Sequence, residues 1–262
     1  MLNYQVLFLD IDGTILKPDH TYDASTKDAI IQVQEKGVKV FLATGRPLHE
    51  IRDLAEELNI HSFIGYNGAL AVYQERTIVN EPMNEDTVKQ FVEIAKENGH
   101  EMVLYTSEKN YFTALEKPVV KDFIDKFQMK QNEQFTLDIA NQILGATLIN
   151  LKEEDPSLYQ VDDSYHFSQV NVEGLLHCYD VIRDNVNKGR AIKTILDLMD
   201  IPKEKAIAFG DGMNDKEMLH AAGESFAMGN AHPDLFAYAN HKTTSVMDSG
   251  IFNGLKSIGL VD

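Results

Sequence analysis

Among 262 residues there is one cysteine, Cys178, so no intrachain disulfide can close, and no partner cysteine or histidine stands at the spacing of a structural zinc site. That usage points to a reducing cytoplasm. Long apolar runs are also missing: none approaches the roughly 18 residues that a membrane-spanning helix needs. The opening MLNYQVLFLDIDG has no basic stretch and is cut by Asp10 and Asp12, which argues against a signal peptide or anchor. Basic residues are few, 24 against 41 acidic ones, and the net charge of −17 argues against nucleic acid or an anionic membrane as partner. No Gly-Lys dipeptide occurs, which removes a Walker A loop, and residues 81–180 contain no arginine. The nine histidines show neither HxH nor HxxxH pairing, so a histidine-bound metal is not expected.

What remains is an ordinary globular composition, 44% hydrophobic and 25% charged, long enough for one large domain or two modest ones. Val6–Leu9 is a short apolar run bounded by Asp-Ile-Asp-Gly and reads as a strand buried on both faces. A helix is predicted over Ser25–Lys36, closed by Gly37. Strand Val38–Ala43, helix Pro47–Leu58 and strand Ser62–Gly65 follow. This alternation predicts an α/β fold with a doubly wound, Rossmann-like parallel sheet. After Asn67-Gly68 the grammar changes to a ribbon, Ala69–Tyr73 and Thr77–Val79, and then to an α+β mixture. That mixture comprises helices Glu85–Glu97 and Val119–Phe127 and strands Met102–Thr106, Tyr111–Ala114, Ala146–Leu151, Tyr165–Val170 and Leu175–Ile182. The α/β pattern resumes with helix Lys188–Met199, strand Ala206–Phe209, helix Asp215–Ala221, strand Ser225–Met228 and helix Pro233–Tyr238. The expected organisation is therefore a core of residues 1–81 and 181–262 interrupted by an inserted α+β cap domain of residues 82–180.

In open parallel sheets ligands bind at the carboxyl ends of the strands. Four polar clusters stand there: Asp10-Ile11-Asp12-Gly13-Thr14, Thr44-Gly45-Arg46, Lys188-Gly189, and Gly210-Asp211-Gly212-Met213-Asn214-Asp215. Each alone is an ordinary turn or helix cap. Together they bring carboxylates, a hydroxyl, an ammonium and backbone N–H groups to one point, the inventory that phosphoryl transfer requires. Asp10, Asp12 and Asp211 offer the hard oxygens that Mg²⁺ prefers, Asp10 can attack phosphorus, and Asp12 can move the leaving-group proton. A dinucleotide fingerprint fails because Asp215 replaces the third glycine, and an EF-hand fails at Ile15 and Thr21.

On these motifs the sequence resembles the haloacid dehalogenase-like phosphatases of the Cof-like group, subclass IIB, which carry a C2-type cap between their second and third motifs. The stretch Tyr66-Asn67-Gly68-Ala69 is similar to the family's segment ahead of the cap. The resemblance implies a Mg²⁺-dependent hydrolase of small phosphorylated metabolites, such as sugar phosphates or phosphorylated cofactors. Asp10 would be the nucleophile and Asp12 the general acid/base and a metal ligand through its carbonyl. Thr44 and Lys188 would clamp phosphate, the backbone of Ile11 and Gly45 would contact its oxygens, and Asp211 would bind metal. Asn214 and Asp215 would support that loop, Asn214 also near phosphate and Asp215 counted with the metal set. Arg46 is open between a surface charge and a substrate contact, as His166, Tyr105 and Tyr111 are between packing and pocket lining. The superfamily's aspartyl-phosphate pumps have Lys and Thr where Ile11 and Asp12 stand, which favours a hydrolase. Two other readings are a phosphohexomutase and a non-catalytic phosphate-binding module. The first lacks a cap arginine for a second phosphate, and the second would show a damaged motif.

The acidic excess is uneven: residues 81–180 carry 19 acidic and 8 basic side chains, whereas residues 1–80 and 181–262 carry net charges of −4 and −2. Those acids are solvated faces in the simplest reading. If some face the substrate, monophosphates with neutral or amine-bearing leaving groups are favoured over bisphosphates. Equal kcat/KM on a sugar monophosphate and its bisphosphate contradicts that preference.

Overall fold

The computed structural model describes residues 4–262. The chain divides into two compact units. One is formed by residues 4–46 with Ile51–Val79 and Asn187–Asp262, the other by Pro47–Glu50 and Asn80–Val186.

The first unit is built on β1 (Val6–Leu9), whose four side chains are all buried, as their unbroken apolar run requires. It is followed by α1 (Ala24–Glu35), β2 (Lys39–Ala43), α2 (Arg52–Glu57), β3 (Ser62–Gly65), β4 (Leu70–Tyr73) and β5 (Arg76–Asn80). After the second unit come α5 (Lys188–Leu198), β12 (Ala206–Gly210), α6 (Lys216–Ala221), β13 (Glu224–Ala227), β14 (His241–Lys242) and α7 (Gly250–Ser257). The sheet order is β14-β13-β12-β1-β2-β3-β4-β5, parallel from β14 to β3, with β4 antiparallel to β3. Val6 and Phe8 of β1 and Ala206 and Ala208 of β12 share a core with Ile192 and Ile195 of α5 and Met218 and Leu219 of α6. Strand alternation sends Leu7, Leu9 and Phe209 to the other face, where Gly254 of α7 lies against the Phe209 and Phe226 rings. Helices thus cover both faces, as a doubly wound sheet demands.

Gly189 permits the closest helix approach. A Cβ there would lie 2.3 Å from the Glu217 carbonyl oxygen, a backbone atom that cannot rotate away. Gly189→Ala is expected to force α5 and α6 apart and cost about 1–3 kcal/mol of stability, measurable by urea denaturation.

The second unit contains α3 (Glu85–Asn98), β6 (Glu101–Tyr105), β7 (Asn110–Phe112), α4 (Pro118–Phe127), β8 (Asn132–Gln134), β9 (Gly145–Ile149), β10 (Tyr165–Gln169) and β11 (Tyr179–Arg183). Its sheet runs β10-β11-β9-β6-β7-β8. One face packs Met102, Leu104 and Leu148 against Phe91 and Ala95 of α3, and the other packs Val103, Phe112 and Ile149 against Val120 and Phe123 of α4. The unit's limits differ from 82–180 because β11 continues to Arg183, whose guanidinium donates to the carbonyls of Glu81 and Leu144 at 2.9 and 3.0 Å.

Other departures have local causes. The helix expected over Pro47–Leu58 is split into a 3-10 turn at Leu48–Glu50 and α2. Asn110 holds the turn by bonding both the His49 ring and the Glu50 carboxylate. Leu175–Ile182 is not one strand: Cys178 N–H closes a turn onto Leu175 O, and both side chains are buried against the α4 core. Pro233–Tyr238 is 3-10 rather than α-helical. Three further elements, β8, β14 and α7, lie outside the predicted segments. Helix α7 carries glycine at 250 and 254, which lowers its propensity, yet Gly254 is what lets it reach the Phe209 ring. A cavity of about 660 Å³ opens at the N-terminal ends of β1 and β2, among Tyr4, Lys39, Tyr73, Arg76 and Met199. The motif residues lie at the opposite, C-terminal strand ends.

Candidate active site

Asp10 directly follows β1, and its N–H donates to Phe209 O, so the ladder with β12 fixes where the loop departs. The loop then curls: Ile11 O accepts from the N–H groups of Thr14, Ile15 and Leu16. Gly13 has φ +81°, and a Cβ there would lie 2.1 Å from Asp211 Oδ2. Only glycine lets the first and fourth motifs touch.

Lys188, the first residue of α5, has no exposed surface. Its Nζ donates to Asp10 Oδ1 at 2.6 Å and to Asp215 Oδ1 at 2.7 Å. The other oxygen of Asp215 accepts from the backbone N–H groups of Asp211 and Gly212, both at 3.0 Å. Both Asp215 oxygens are therefore engaged by donors that shape the acidic loop. Asp211 takes the Thr14 hydroxyl at 3.1 Å on Oδ1. Carboxylate oxygens of Asp10, Asp211 and Asp215 all lie within 4.8 Å of one another.

One ammonium does not balance three clustered carboxylates, Asp10 and Asp215 buried and Asp211 half-buried. Burial, then the Asp215 charge, lifts Asp10 well above the usual carboxylate range, although Lys188 pulls the other way. Asp211 is pushed up to about 6, first by burial and then by Asp215. Burial disfavours the Lys188 charge, but Asp10 and Asp215 outweigh it and raise its pKa above the ordinary lysine value. The surplus negative charge and the hard oxygen donors fit a divalent cation such as Mg²⁺. A carboxyl raised in the folded state withholds stability as pH climbs from the unfolded value toward the folded one. In EDTA, Asp211→Asn is therefore expected to melt above the unsubstituted protein at pH 7.5, with the gap closing toward pH 5. Differential scanning fluorimetry across that range checks it.

The second motif follows β2. Thr44 is buried, its N–H donates to Ile64 O, and its Oγ1 accepts from the Arg46 N–H at 3.0 Å. Gly45 lies beside the Asn67 amide, which a Cβ would approach to 3.1 Å. Arg46 is partly exposed and paired: its guanidinium grips both oxygens of Asp12, with Nε to Oδ2 at 2.7 Å. Asp12 is half-exposed and, unlike Asp10, lies outside the carboxylate trio. Asn214 Nδ2 donates to Asn67 Oδ1 at 3.0 Å, joining the fourth motif to the Tyr66-Asn67-Gly68-Ala69 segment. Asn67 adopts a left-handed φ of 53°, a conformation asparagine tolerates.

A family profile described as haloacid dehalogenase-like hydrolase matches residues 7–255. The chain belongs to that family. This hydrolase is similar to YkrA of Bacillus subtilis, 28% identical over 99% of this chain and 100% of that one. It is equally similar to the B. subtilis 5-amino-6-(5-phospho-D-ribitylamino)uracil phosphatase YitU, at 28% identity over 96% of each. The subclass IIB sugar phosphatase BT4131 superposes with a TM-score of 0.82 at 25% identity, over 98% of this chain and 100% of that one. These likenesses support the Cof-like, subclass IIB assignment within the haloacid dehalogenase-like hydrolases.

In the second unit Tyr105 is engaged within the sheet, whereas His166 is exposed. Tyr105 shares a 2.9 Å hydrogen bond with Thr147, which donates to Asp180 at 2.6 Å, a cross-strand chain through β6, β9 and β11. His166 pairs with Asp184 at 2.8 Å, and Tyr111 packs against the α3-side core. Burial pushes the Cys178 thiol up to about 12, which marks a packing residue and not a nucleophile. No helix among the described residues is long and apolar enough to cross a membrane. Thr14, Asn67 and Asn230 contact motif side chains without having been assigned a role from sequence. The first two lie inside quoted motifs, and Asn230 carried no signal.

Proposed function

We propose that the chain is a Mg²⁺-dependent phosphatase hydrolysing small phosphomonoesters through an aspartyl-phosphate at Asp10. The observation that carries this reading is the buried Lys188 ammonium bridging Asp10 and Asp215 beside Asp211. Lys188 holds the Asp10 carboxylate in place and keeps an ammonium next to the oxygens of an arriving phosphoryl group. Asp10 attacks phosphorus and forms an acyl-phosphate bond as the ester P–O bond breaks. Asp12 gives a proton to the departing alkoxide. Asp12 then takes a proton from water, which attacks the acyl-phosphate and releases inorganic phosphate with Asp10 restored. Thr44, the backbone of Ile11 and Gly45, and Asn214 serve as phosphate contacts, and Arg46, which grips both oxygens of Asp12 in this structure, releases one of them when Asp12 carries the proton. Mg²⁺ held by Asp10, Asp211 and the Asp12 carbonyl would supply charge neutralisation for the phosphoryl oxygens, while Asp215 shapes the loop that presents Asp211.

The second unit serves as the cap that selects the leaving group. Substrates of the YitU and sugar phosphatase kind, as those proteins are named, support small soluble phosphomonoesters as the class. The single buried thiol fits a cytoplasmic protein. A mutase reading is not favoured, because the second unit's Arg183 is spent on two carbonyls. The test is phosphate release from a panel of metabolite phosphates with Mg²⁺. Turnover of at least one supports the reading, and none across a broad panel overturns it.

A further inference from the structure

Asn230 sits in the turn after β13, about twenty residues beyond the acidic loop, and every polar atom of its side-chain amide is used. Its Nδ2 donates to Gly13 O at 2.8 Å and to Asp211 Oδ2 at 3.3 Å, and its Oδ1 accepts from the Val246 N–H at 2.8 Å. The Val246 bond fixes which end of the amide faces the site, so Nδ2 cannot turn away from Asp211 without orphaning a backbone donor.

The consequence falls on Asp211. Thr14 donates to its Oδ1 and Asn230 to its Oδ2, so neutral donors from two separate segments hold the carboxylate from both sides. Neither donor adds charge, and each oxygen keeps lone-pair capacity for a cation. The same amide anchors the carbonyl of Gly13, the residue whose missing Cβ leaves room for Asp211. Carboxylates that ligate metals are characteristically oriented by such outer hydrogen bonds.

We propose that Asn230 is a positioning residue for the metal site, holding Asp211 at the orientation in which it binds a divalent cation. The inference rests on the Mg²⁺ reading above. Its measurement, the thermal upshift as Mg²⁺ is titrated into the full chain, needs no turnover. Asn230→Ala is expected to raise the Mg²⁺ concentration for the half-maximal upshift by about 10–100-fold. Mg²⁺ activation of phosphate release should move in parallel, with kcat at saturating Mg²⁺ changed far less. Asn230→Ser serves if the alanine variant does not fold. Unchanged half-saturation in a folded variant, or a kcat loss that Mg²⁺ does not relieve, overturns the proposal. No Mg²⁺ upshift in the unsubstituted protein also overturns it. An Mg²⁺ upshift without turnover on any phosphate ester instead refutes the phosphatase reading and leaves the positioning role to stand on its own result.

Discussion

Asp10→Asn is expected to lower kcat by roughly four to six powers of ten, because the amide cannot form the acyl-phosphate and the groups around it act only in concert. The fold should survive. Asparagine is nearly isosteric and keeps an oxygen for Lys188 Nζ, now 2.6 Å from Asp10 Oδ1. It also removes a charge that burial and Asp215 make costly. The sign follows from the direction of that shift: the folded pKa lies above the unfolded one, so the carboxylate withholds stability at pH values above the unfolded pKa, and asparagine does not. In EDTA at pH 7.5 the variant should therefore melt no lower than the unsubstituted protein. Phosphate-release kinetics and a thermal melt on one preparation check both halves. Retained activity, or inactivity accompanied by unfolding, contradicts this account.

Lys188→Met should fail in the opposite manner, through stability. The side chain has no exposed surface and is the ammonium that bridges Asp10 and Asp215. Removing one partner of a buried ionic network leaves its carboxylates uncompensated, at a cost of about 3–5 kcal/mol. The stranded Asp10 carboxyl, already raised by burial and by the Asp215 charge, then recovers neutrality by taking a proton. The deficit in urea denaturation, measured in EDTA, is expected to be largest near pH 7.5 and to shrink toward pH 5. A deficit independent of pH contradicts the electrostatic origin assigned to it.

These outcomes depend on residues far apart in sequence but legible from it. Asp10, Thr44 and Asp211 each follow an apolar strand, and a parallel sheet brings strand C-termini to one edge. The pairing of Lys188 with both Asp10 and Asp215 is the structural expression of that rule. Less legible was anything set by a single contact. The grip of Arg46 on Asp12 cannot be read from Thr-Gly-Arg, since the same triplet suits a helix-start charge. Asn230 looks like loop punctuation, and its role depends on three partners from three segments. Strand β8, Asn-Glu-Gln, has no apolar alternation to announce it and exists through its pairing with β7. Helix α7 was hidden by the small residues that allow its close packing. Periodicity reports burial, whereas these features arise from backbone approach and polar geometry, which leave little trace in hydrophobic pattern.

Covalent chemistry at Asp10 leaves a direct chemical trace. Acid-quenching the enzyme during turnover of an accepted phosphate ester, then proteolysis and mass spectrometry, tests it most directly. The expected result is one phosphoryl group on the peptide containing Asp10, absent from Asp10→Asn and labile to hydroxylamine, as an acyl-phosphate is. Turnover with no modified Asp10 peptide under conditions that trap acyl-phosphates, or a phosphoryl group on another residue, would contradict the account.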